Sequence, residues 1–524
     1  MTAMIRSAEH ERMGLWGLIE QAAPRWPDQP MLVSRQGDGA TFGEYRERVL
    51  AMAAGLADLG IGRGDVVSWI LPTWVDTVVL AGALSRLGAV QNPIIGIYRH
   101  REVGFCARQA GSKYLISPGI FAGFDYAAMA AEIAGDVDGL RTLAVGPGSF
   151  PRGDPARLAA AAATEPGDVR WICYTSGTTA DPKGAKHSDQ TVGAFGGPMA
   201  ERLDVQPGDR YSLTFPFPHI GGIGLLFMAL ERGCTHLLDE TVDPEATVRF
   251  LSEQGCTHAG TGTPFYLMYL AAQQKLDRPL FGDLKVCPGG GAPIPPAIHR
   301  RVVAELGGVG VASGWGLTEA PVLTNGAVDD ADEKLASTEG RALPGVDLIT
   351  VADDGTRCAP GAEGELRAKG PQVMLGYMDS SLDSEAFDSD GYYRTGDLGI
   401  IDADGYVTIT GRLKDIIIRH GENISAKEVE DLLFGLDDIA DAAVIGLPDE
   451  RTGESVCAVV VPAAGARVTL ESLAATLADA GLRRQATPER VEIVDALPRN
   501  PAGKVLKREL QRQFGPSSTR DTQD

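Results

Sequence analysis

Apolar positions in the N-terminal part of the chain follow two kinds of spacing. In segment 45–59 they repeat at helical spacing behind a capping-box pattern at Thr41–Glu44, which predicts an amphipathic helix. Short apolar runs at 66–72 and 113–117 predict buried strands, and 74–89 predicts a helix between them. Strands that alternate with helices favour an α/β architecture with a largely parallel sheet.

The pattern changes from about residue 353 onward. Asp354-Gly355 and Asp404-Gly405 are flanked by β-branched and aromatic residues, which predicts antiparallel hairpins. Beyond them, a second capping-box pattern at Ser425–Glu428 precedes an apolar helical face, and 442–448 and 456–462 predict strands. These elements indicate a small α+β unit that is separate from the larger part of the chain.

We therefore predict three regions. An N-terminal domain covers 1–412, a C-terminal domain covers 413–515, and the polar tail 516–524 is expected to be disordered. A chain of 524 residues with 44% hydrophobic residues has enough apolar material for several cores.

Charge and cysteine usage limit the classes of partner. The 48 basic residues against 70 acidic residues give a net charge of −22, which disfavours nucleic acid as the main partner. The seven cysteines form no C-x-x-C pair or zinc spacing, so a reducing compartment is expected. The charged start MTAMIRSAEHERMGLW lacks the apolar core of a signal peptide, and the apolar run 220–230 is too short to cross a bilayer. We expect a cytoplasmic protein without an integral membrane segment, and the sequence leaves a homodimer open.

The segment YTSGTTADPKGAKHS, residues 174–188, is rich in small and hydroxyl residues around Lys183. Such residues let backbone N–H groups and hydroxyls approach an anion closely. The spacing is not that of a Walker loop, because Pro182 and Gly184 stand where a glycine and a magnesium-binding hydroxyl belong. We interpret the segment as a phosphate loop of another type; a solvated linker is the alternative.

Further segments carry weaker signals when each is taken alone. SGWGLTEA (313–320) offers an aromatic face for a base and a carboxylate for magnesium, or forms a turn with a core tryptophan. The aspartate of YRTGDLG (393–399) is suited to accept from ribose hydroxyls, or caps a turn. GRLKDIIIRHGENISAKEVE (411–430) lies at the predicted boundary and NPAGKVLKREL (500–510) near the end, and each alone reads as a solvated charged face.

Together, these segments resemble, in their order, spacing and residues, the motifs of the adenylate-forming superfamily. This superfamily includes acyl-CoA synthetases, luciferases and nonribosomal-peptide adenylation domains. PGGGAP (288–293) and FPFPHIGG (215–222) also have counterparts in that family, and the resemblance runs from about residue 15 to 512. It implies a large N-terminal domain of several subdomains, with mostly parallel sheets and a β-rich part, that binds ATP and the acid. It also implies a small, mobile α+β C-terminal domain that caps the first.

The resemblance assigns roles to individual residues. The groups that would contact ATP and magnesium are Thr175, Ser176, Gly177, Thr178, Thr179 and Lys183 at the β- and γ-phosphates, Gly289, Gly290, Gly291, Ala292, Pro293 and Trp315 around adenine, Thr318 at the α-phosphate, Glu319 at magnesium, and Asp397 and Arg412 at the ribose. The remaining assignments are Lys504 as the catalytic lysine, Lys414 as the hinge, Gly421 in a pantetheine tunnel, and Lys507, Arg508 or Arg483 at the nucleotide end of coenzyme A.

His219 has two interpretations. The resemblance implies that it gates the acyl pocket, whereas a lone histidine is more often a hydrogen-bonded core residue. Three positions depart from the common family pattern: Ala180 and Ala185 in the phosphate-loop region, and Trp315, where tyrosine is common. These departures leave the resemblance intact.

The likeness points to the acyl-CoA synthetase, or fatty-acid-CoA ligase, branch. Amino-acid adenylation domains carry an aspartate for the substrate ammonium after the FPFPHIGG-type run, but here HIGGIGLLFMALE stays apolar until Glu231, which favours an apolar acid. The glycines and residues 225–228 suggest an apolar slot or ordinary core. The extra segment of fatty-acyl-AMP ligases is absent from the sequence, so coenzyme A is the expected acceptor.

The sequence thus predicts an AMP-forming acyl-CoA ligase that uses ATP, Mg²⁺ and coenzyme A. Medium-chain fatty or alicyclic and aryl carboxylic acids are the expected substrates. One alternative is a stand-alone adenylating enzyme that loads a carrier protein. Another is a non-catalytic nucleotide- or acyl-binding protein, against which the presence of Glu319, Asp397 and Lys504 argues.

Overall fold

The computed structural model of the protein describes residues 13–161, 165, 167–175, 182–291, 294–420, 422–449, 451–480, 482–500 and 503–515. Helices and strands alternate over the first part of these residues. The helices in chain order are α1 (Leu15–Arg25), α2 (Phe42–Asp58), α3 (Val75–Leu87), α4 (His100–Ala110), α5 (Tyr126–Asp136), α6 (Asp189–Gly193), α7 (Gly196–Arg202), α8 (Ile220–Arg232), α9 (Pro244–Glu253), α10 (Thr263–Gln273), α11 (Pro296–Glu305), α12 (Asp332–Ser337), α13 (Asp383–Ala386), α14 (Ala426–Leu433), α15 (Leu470–Asp479) and α16 (Lys507–Phe514).

The strands belong to several sheets. In chain order they are β1 (Pro30–Ser34), β2 (Gly39–Thr41), β3 (Val66–Trp69), β4 (Val90–Pro93), β5 (Tyr114–Pro118), β6 (Ile120–Phe121), β7 (Phe124–Asp125), β8 (Arg141–Val145), β9 (Trp171–Thr175), β10 (Lys183–His187), β11 (Arg210–Leu213), β12 (Thr235–Leu238), β13 (Cys287–Gly289), β14 (Val311–Leu317), β15 (Ala320–Asn325), β16 (Arg341–Ala342), β17 (Asp347–Val351), β18 (Glu363–Lys369), β19 (Tyr393–Ile401), β20 (Val407–Arg412), β21 (Ile416–Arg419), β22 (Glu422–Ser425), β23 (Ile439–Asp449), β24 (Gly453–Pro462) and β25 (Arg490–Ile493).

Two mainly parallel sheets confirm the predicted α/β class. The six-stranded sheet has the order β10-β9-β4-β3-β5-β8, and only the β10–β9 pairing is antiparallel. The other has the order β11-β12-β1-β2. Isolated parallel bridges pair residue 211 with 258, 258 with 286, and 261 with 289. These bridges extend the sheet from β11 to β13 and so to the sheet β13-β14-β15-β16. Several strand ends therefore meet in one region, which is where ligands bind in open α/β sheets.

Local sequence signals explain individual elements. Thr41 caps α2 through a complete capping box with Glu44, as predicted. The apolar face of α2 is buried in the largest core cluster, together with α1, α3 and α8. Helix α8 is the apolar run noted in the sequence, and nearly all of its residues are buried in the protein. Among the described residues, no helix is long and apolar enough to span a membrane.

The predicted hairpins are present in an antiparallel sheet of order β17-β18-β19-β20. Gly355 and Gly405 both have φ of 84°, a conformation that L-residues with a side chain rarely adopt, which explains the Asp-Gly pairs. Strand β20 ends at Arg412, and a short 3₁₀ turn at Leu413–Asp415 leads out of this sheet.

The residues after this turn form the predicted α+β unit. Strands β22-β21-β24-β23 with β25 make a five-stranded sheet, and separate core clusters pack on its two faces. Ser425 caps α14 by accepting from the backbone N–H of Glu428, but Glu428 makes an ion pair with Arg483 at 3.6 Å and is not seen in a reciprocal cap bond. Only half of the predicted capping box is therefore present.

Candidate active site

A single cavity of about 620 Å³ collects the predicted site residues that the structure describes, apart from the basic residues considered for coenzyme A. Its walls come from the ends of the sheet strands, from the antiparallel sheet and from the C-terminal unit. The predicted residues that line it are Thr175, Lys183, His219, Gly289, Gly290, Gly291, Trp315, Thr318, Glu319, Asp397, Arg412, Lys414 and Lys504. The other predicted residues, Ser176, Gly177, Thr178, Thr179, Ala292, Pro293 and Gly421, lie outside the described residues, as does the tail 516–524.

A second cavity, of about 770 Å³, lies between α12, the antiparallel sheet and the C-terminal unit. It is the larger of the two, but Arg483 is the one described residue among those predicted from the sequence that lines it. Chemistry, and not volume, therefore identifies the first cavity as the candidate site.

One wall carries a hydrogen-bonded group formed by Trp315, Asp397 and Arg412. Asp397 lies opposite Arg412 in the β19–β20 pairing, and their side chains make an ion pair with Nε to Oδ1 at 2.8 Å. The indole Nε1 of Trp315 donates to the other carboxylate oxygen at 2.8 Å. Asp397 is only 3% exposed, so these two donors stabilise a nearly buried carboxylate. The group is held in place before any ligand binds.

Glu319 lies at the turn between β14 and β15 and is 8% exposed. The hydroxyl of Tyr377 donates to its Oε1 at 2.7 Å, and the hydroxyl of Tyr393 lies 3.4 Å from that of Tyr377. Burial, followed by the neighbouring Glu319 carboxylate, raises the pKa of Tyr377, so this hydroxyl keeps its proton and remains a donor.

The neighbouring Thr318 is oriented through its backbone. The ring Nε2 of His187 lies 2.9 Å from the carbonyl oxygen of Thr318 and must donate to it, because a carbonyl only accepts. Burial lowers the pKa of His187 to about 4, so the ring is neutral near pH 7.

The two described ends of the predicted phosphate loop are paired. Thr175 ends β9 and lies opposite Lys183 at the start of β10, and both residues line the cavity. The Nζ of Lys183 lies 5.5 Å from the ring centroid of Tyr377, within cation–π range.

Lys504 enters the cavity from the C-terminal unit on a short loop. Its backbone N–H donates to Oδ1 of Asn500 at 2.9 Å, and the Asn500 N–H donates back to the Lys504 carbonyl at 2.9 Å. Much of the Lys504 surface is accessible, but the side chain lines the cavity. Burial of the ammonium within these walls, and then the Arg412 guanidinium, lower the pKa of Lys504 to about 8.

His219 combines a structural position with a place in the cavity wall. It is the N-cap of α8, and its Nδ1 accepts from the Gly221 N–H at 3.2 Å. Its ring meets Phe215 edge to face at a centroid distance of 6.4 Å. Burial lowers the pKa of His219 to about 4, so the ring is neutral near pH 7. The gate role remains a prediction.

The wall next to His219 is apolar. Among the described lining residues from 195 to 225, none is acidic, and none is basic apart from the neutral His219. Leu225 lines the cavity, whereas 226–228 are core residues, so only part of the suggested slot exists. A Cβ on Gly224 would lie 2.0 Å from Cζ of Phe195, which shows that this glycine admits the Phe195 ring. The apolar wall is therefore closed by packed side chains.

Two of the basic residues considered for coenzyme A already have partners. Lys507 makes an ion pair with Glu430 at 2.8 Å. Arg483 donates to the Asn423 carbonyl at 2.8 Å and approaches Glu428 at 3.6 Å. Neither contact excludes a later role, but each would have to be exchanged for a phosphate.

Tyr377 and Tyr393 were missed by reasoning from the sequence. Tyr393 opens the segment YRTGDLG, and Tyr377 lies in an unremarkable stretch, MLGYMD. Neither position carries a local pattern that points to Glu319, which lies 58 residues from Tyr377 along the chain.

The donor set suits magnesium that arrives with nucleotide phosphates. Glu319 contributes a nearly buried carboxylate to the cavity. Within the described part of the chain, no group of three or more histidine, cysteine or acidic residues is arranged to hold a metal ion. Magnesium is commonly bound by one or two carboxylates plus substrate phosphates, which fits this arrangement.

Comparisons with known proteins agree with this geometry. The profile of the AMP-binding enzyme family matches residues 19–378, and that of the AMP-binding enzyme C-terminal domain matches 428–504. The chain is 33% identical to the salicyl-AMP ligase / salicyl-S-ArCP synthetase of Mycobacterium tuberculosis, over 97% of this chain and 93% of that protein. It is 30% identical to the medium-chain fatty-acid–CoA ligase of Escherichia coli, over 98% and 94%.

A solved structure has the same architecture. The crystal structure of ATP-bound MatB from Rhodopseudomonas palustris superposes with a TM-score of 0.83 and 28% identity, and the match covers 96% of this chain and 99% of that one. The predicted resemblance and the predicted fold class are thereby confirmed, as is the prediction of an AMP-forming ligase. The chain belongs to the adenylate-forming superfamily of AMP-binding enzymes.

Proposed function

We propose that the protein is an ATP- and magnesium-dependent acyl-CoA ligase. It activates an apolar carboxylic acid as an acyl-adenylate and then transfers the acyl group to the thiol of coenzyme A. Medium-chain fatty acids and alicyclic or aryl carboxylic acids are the proposed substrates.

The observation that carries this proposal is that Lys504 shares one cavity with Glu319 and Asp397. An ammonium from the C-terminal unit thus faces the carboxylates that we assign to magnesium and to the ribose. A nucleotide held between them would be bracketed by opposite charges.

The chemistry explains why such an arrangement is needed. A carboxylate is a poor electrophile, and its attack on the α-phosphorus of ATP brings two anions together. Catalysis must then consist largely of neutralising charge and aligning the reactants. In the proposed reaction, Lys504 would contact both the attacking carboxylate oxygen and the α-phosphate, and Thr318 would contact the same phosphate. Attack of the carboxylate oxygen forms the acyl–phosphate anhydride bond of the acyl-adenylate, breaks the bond between the α-phosphorus and the oxygen bridging to the β-phosphate, and releases pyrophosphate.

The second half-reaction needs space for a thiol. We propose that the C-terminal domain, 413–515, turns about Lys414 after adenylation and withdraws Lys504. The thiol sulfur then attacks the acyl carbon, forms the thioester and releases AMP. Such a rotation would act as a gate that separates two steps.

The apolar wall supports the proposed class of acid. An α-ammonium or a second carboxylate on the substrate would meet no charged partner among the described lining residues 195–225. Burial of an unpaired charge is strongly unfavourable, so neutral, apolar acyl groups are expected.

A carrier protein is the alternative acceptor. It is favoured by one observation, the 33% identity to a relative named as a salicyl-S-ArCP synthetase. Both acceptors present the same phosphopantetheine thiol, and the difference lies in what surrounds it.

Pyrophosphate release measured with a panel of acids tests the proposal. The panel runs from acetate to palmitate and includes cyclohexanecarboxylate, benzoate and, as a charged control, phenylalanine. We expect turnover with apolar acids when coenzyme A is present, and none with the amino acid. Turnover only with a phosphopantetheinylated carrier would favour the alternative, and no AMP with any acid would refute a ligase function.

A further inference from the structure

Tyr377 contacts two residues that approach the nucleotide site from different parts of the chain. Its hydroxyl donates to Oε1 of Glu319 at 2.7 Å, and its ring lies under the Nζ of Lys183 at 5.5 Å from the centroid. Tyr377 is 4% exposed, so both contacts lie away from bulk water. One side chain therefore links the carboxylate assigned to magnesium with the lysine of the phosphate loop.

The backbone around Tyr377 holds this link in place. Residues 375–378 run alongside β10 as an additional strand segment: the Met378 N–H donates to the Gly184 carbonyl at 2.7 Å, and the Leu375 N–H donates to the Lys186 carbonyl at 2.8 Å. On the other side, the Met374 N–H donates to the Glu319 carbonyl at 2.8 Å. The segment is thus hydrogen-bonded to the strand that begins with Lys183 and to Glu319 itself.

The backbone of Tyr377 is also fixed at its own position. Its N–H donates to Oδ1 of Asp383 at 2.8 Å, and its ring is packed in a small core cluster with Ala185, Met374 and Tyr393. A ring that is packed in this way moves little. Its hydroxyl therefore fixes the position of the carboxylate oxygen of Glu319 to which it donates.

We propose that Tyr377 is a positioning residue for the metal–nucleotide complex: its hydroxyl orients the Glu319 carboxylate toward the magnesium that accompanies ATP, and its ring holds the Lys183 ammonium beside the phosphates. Partners that orient a metal ligand commonly affect metal affinity or activity about 10- to 100-fold when they are removed. This inference rests on the proposed function, because it takes ATP with magnesium as the ligand of the cavity.

The test separates the hydroxyl from the ring. Binding of Mn²⁺, which replaces Mg²⁺ and is visible by electron paramagnetic resonance, is measured on the full-length protein saturated with a non-hydrolysable α,β-methylene ATP analogue. For Tyr377→Phe we expect Mn²⁺ affinity to fall about 10- to 100-fold. Affinity for the analogue without metal should stay within about twofold, because the ring below Lys183 remains.

Two further variants complete the comparison. Tyr377→Leu removes ring and hydroxyl, and should weaken metal-free binding of the analogue as well. Tyr392→Phe is the matched control, because Tyr392 also donates to a carboxylate, that of Asp347, but does not line the cavity. It should leave both affinities unchanged. Thermal unfolding of every variant shows that it is folded.

The outcomes are distinct. Unchanged Mn²⁺ affinity in Tyr377→Phe, or an equal fall in metal-dependent and metal-free binding, would overturn the inference. Glu319→Gln tests the assignment on which it rests. If that variant also keeps full Mn²⁺ affinity, the proposed magnesium role of Glu319 fails; if only Tyr377→Phe does, the positioning role alone is wrong.

Discussion

The cavity wall formed by Trp315, Asp397 and Arg412, which is called here the nucleotide wall because we propose that it holds the nucleotide, and the Lys504 loop meet in one space. They are anchored in different parts of the chain. On the nucleotide wall, Asp397 receives bonds at 2.8 Å from both Trp315 and Arg412, which come from two sheets of the larger part of the chain. The Lys504 loop is shaped by bonds to Asn500, within the C-terminal unit.

The link that ties the loop to its own unit is strong. The Nη2 of Arg499 donates to both carboxylate oxygens of Asp441 of β23, each at 2.7 Å. The loop approaches the larger part of the chain at Pro264, where a Cβ on Gly503 would lie 3.4 Å from the Pro264 Cγ. Such van der Waals contact is weak compared with a charge-assisted pair.

This difference is what the proposed two-step reaction requires. Groups that hold the nucleotide need a constant geometry, and their hydrogen bonds lie within the larger part of the chain. Lys504 keeps its loop conformation through bonds that would travel with the C-terminal unit. Among the described residues of the loop, the bonds of Arg499 and Lys504 given above stay within the C-terminal unit, so the proposed rotation would leave them intact.

The largest expected effect is the loss of the Lys504 ammonium. Lys504→Ala should slow acyl-adenylate formation by at least about 10²-fold, because the repulsion between two anions is no longer offset. Thioester formation from supplied acyl-adenylate should be spared. Pyrophosphate release and AMP release measure the two steps, and Arg512→Ala, exposed on α16, is the control. Equal loss of both half-reactions would reject the proposed rotation of the C-terminal domain.

The second effect tests the preorganised wall. Asp397→Asn should weaken ATP and AMP binding by at least about tenfold, because an amide must turn its NH₂ toward one of two donors. Those donors are the Arg412 Nε and the Trp315 Nε1. Calorimetric titration gives the affinity. Asp404→Asn, in the exposed hairpin turn, removes the same charge and should have no effect; equal weakening in both variants would point to net charge instead.

The third effect is a pH dependence of adenylation that arises from Lys504. Because the pKa of Lys504 is lowered to about 8, its ammonium is present below that pH and is lost as the pH rises through it. The value of kcat/KM for adenylation should then fall about tenfold per pH unit above pH 8. The bound carboxylate and ATP phosphates raise the pKa of Lys504 in the substrate complex. The fall in kcat, which reports that complex, should therefore begin at a higher pH than the fall in kcat/KM.

The matched variant for this profile is Lys504→Arg. A guanidinium stays charged over the accessible range, so the fall above pH 8 should disappear even if the rate is lower. If the same fall above pH 8 persists in Lys504→Arg, the titrating group is not Lys504.

The smallest effect concerns His219, whose two interpretations make different predictions. His219→Ala should lower the free energy of unfolding by about 1 kcal/mol, because α8 loses its N-cap acceptor. His219→Asn should restore stability, since its side chain also accepts at an N-cap. If the residue also gates the acyl pocket, His219→Asn should still change the ratio of rates for short and long acids. Stability is measured by thermal or chemical unfolding.

Features that depend on neighbours in the sequence could be read directly. The capping box at Thr41 and the Asp404-Gly405 hairpin are local, because a cap needs a side chain within one turn and a hairpin needs a residue that tolerates positive φ. The motif segments likewise carry the residue types that phosphate, ribose and magnesium require. The described members of that set lie in one cavity.

Other features depend on contacts between distant parts of the chain. The bond from Tyr377 to Glu319 joins residues 58 positions apart, and Gly224 is needed because the Phe195 ring occupies the space of a side chain. The pKa of Lys504 depends on the cavity walls around it. The sequence by itself determined the elements and the chemistry available, because these follow from local spacing and residue type. Only the tertiary structure decided which groups touch, since burial and pairing depend on how those elements pack.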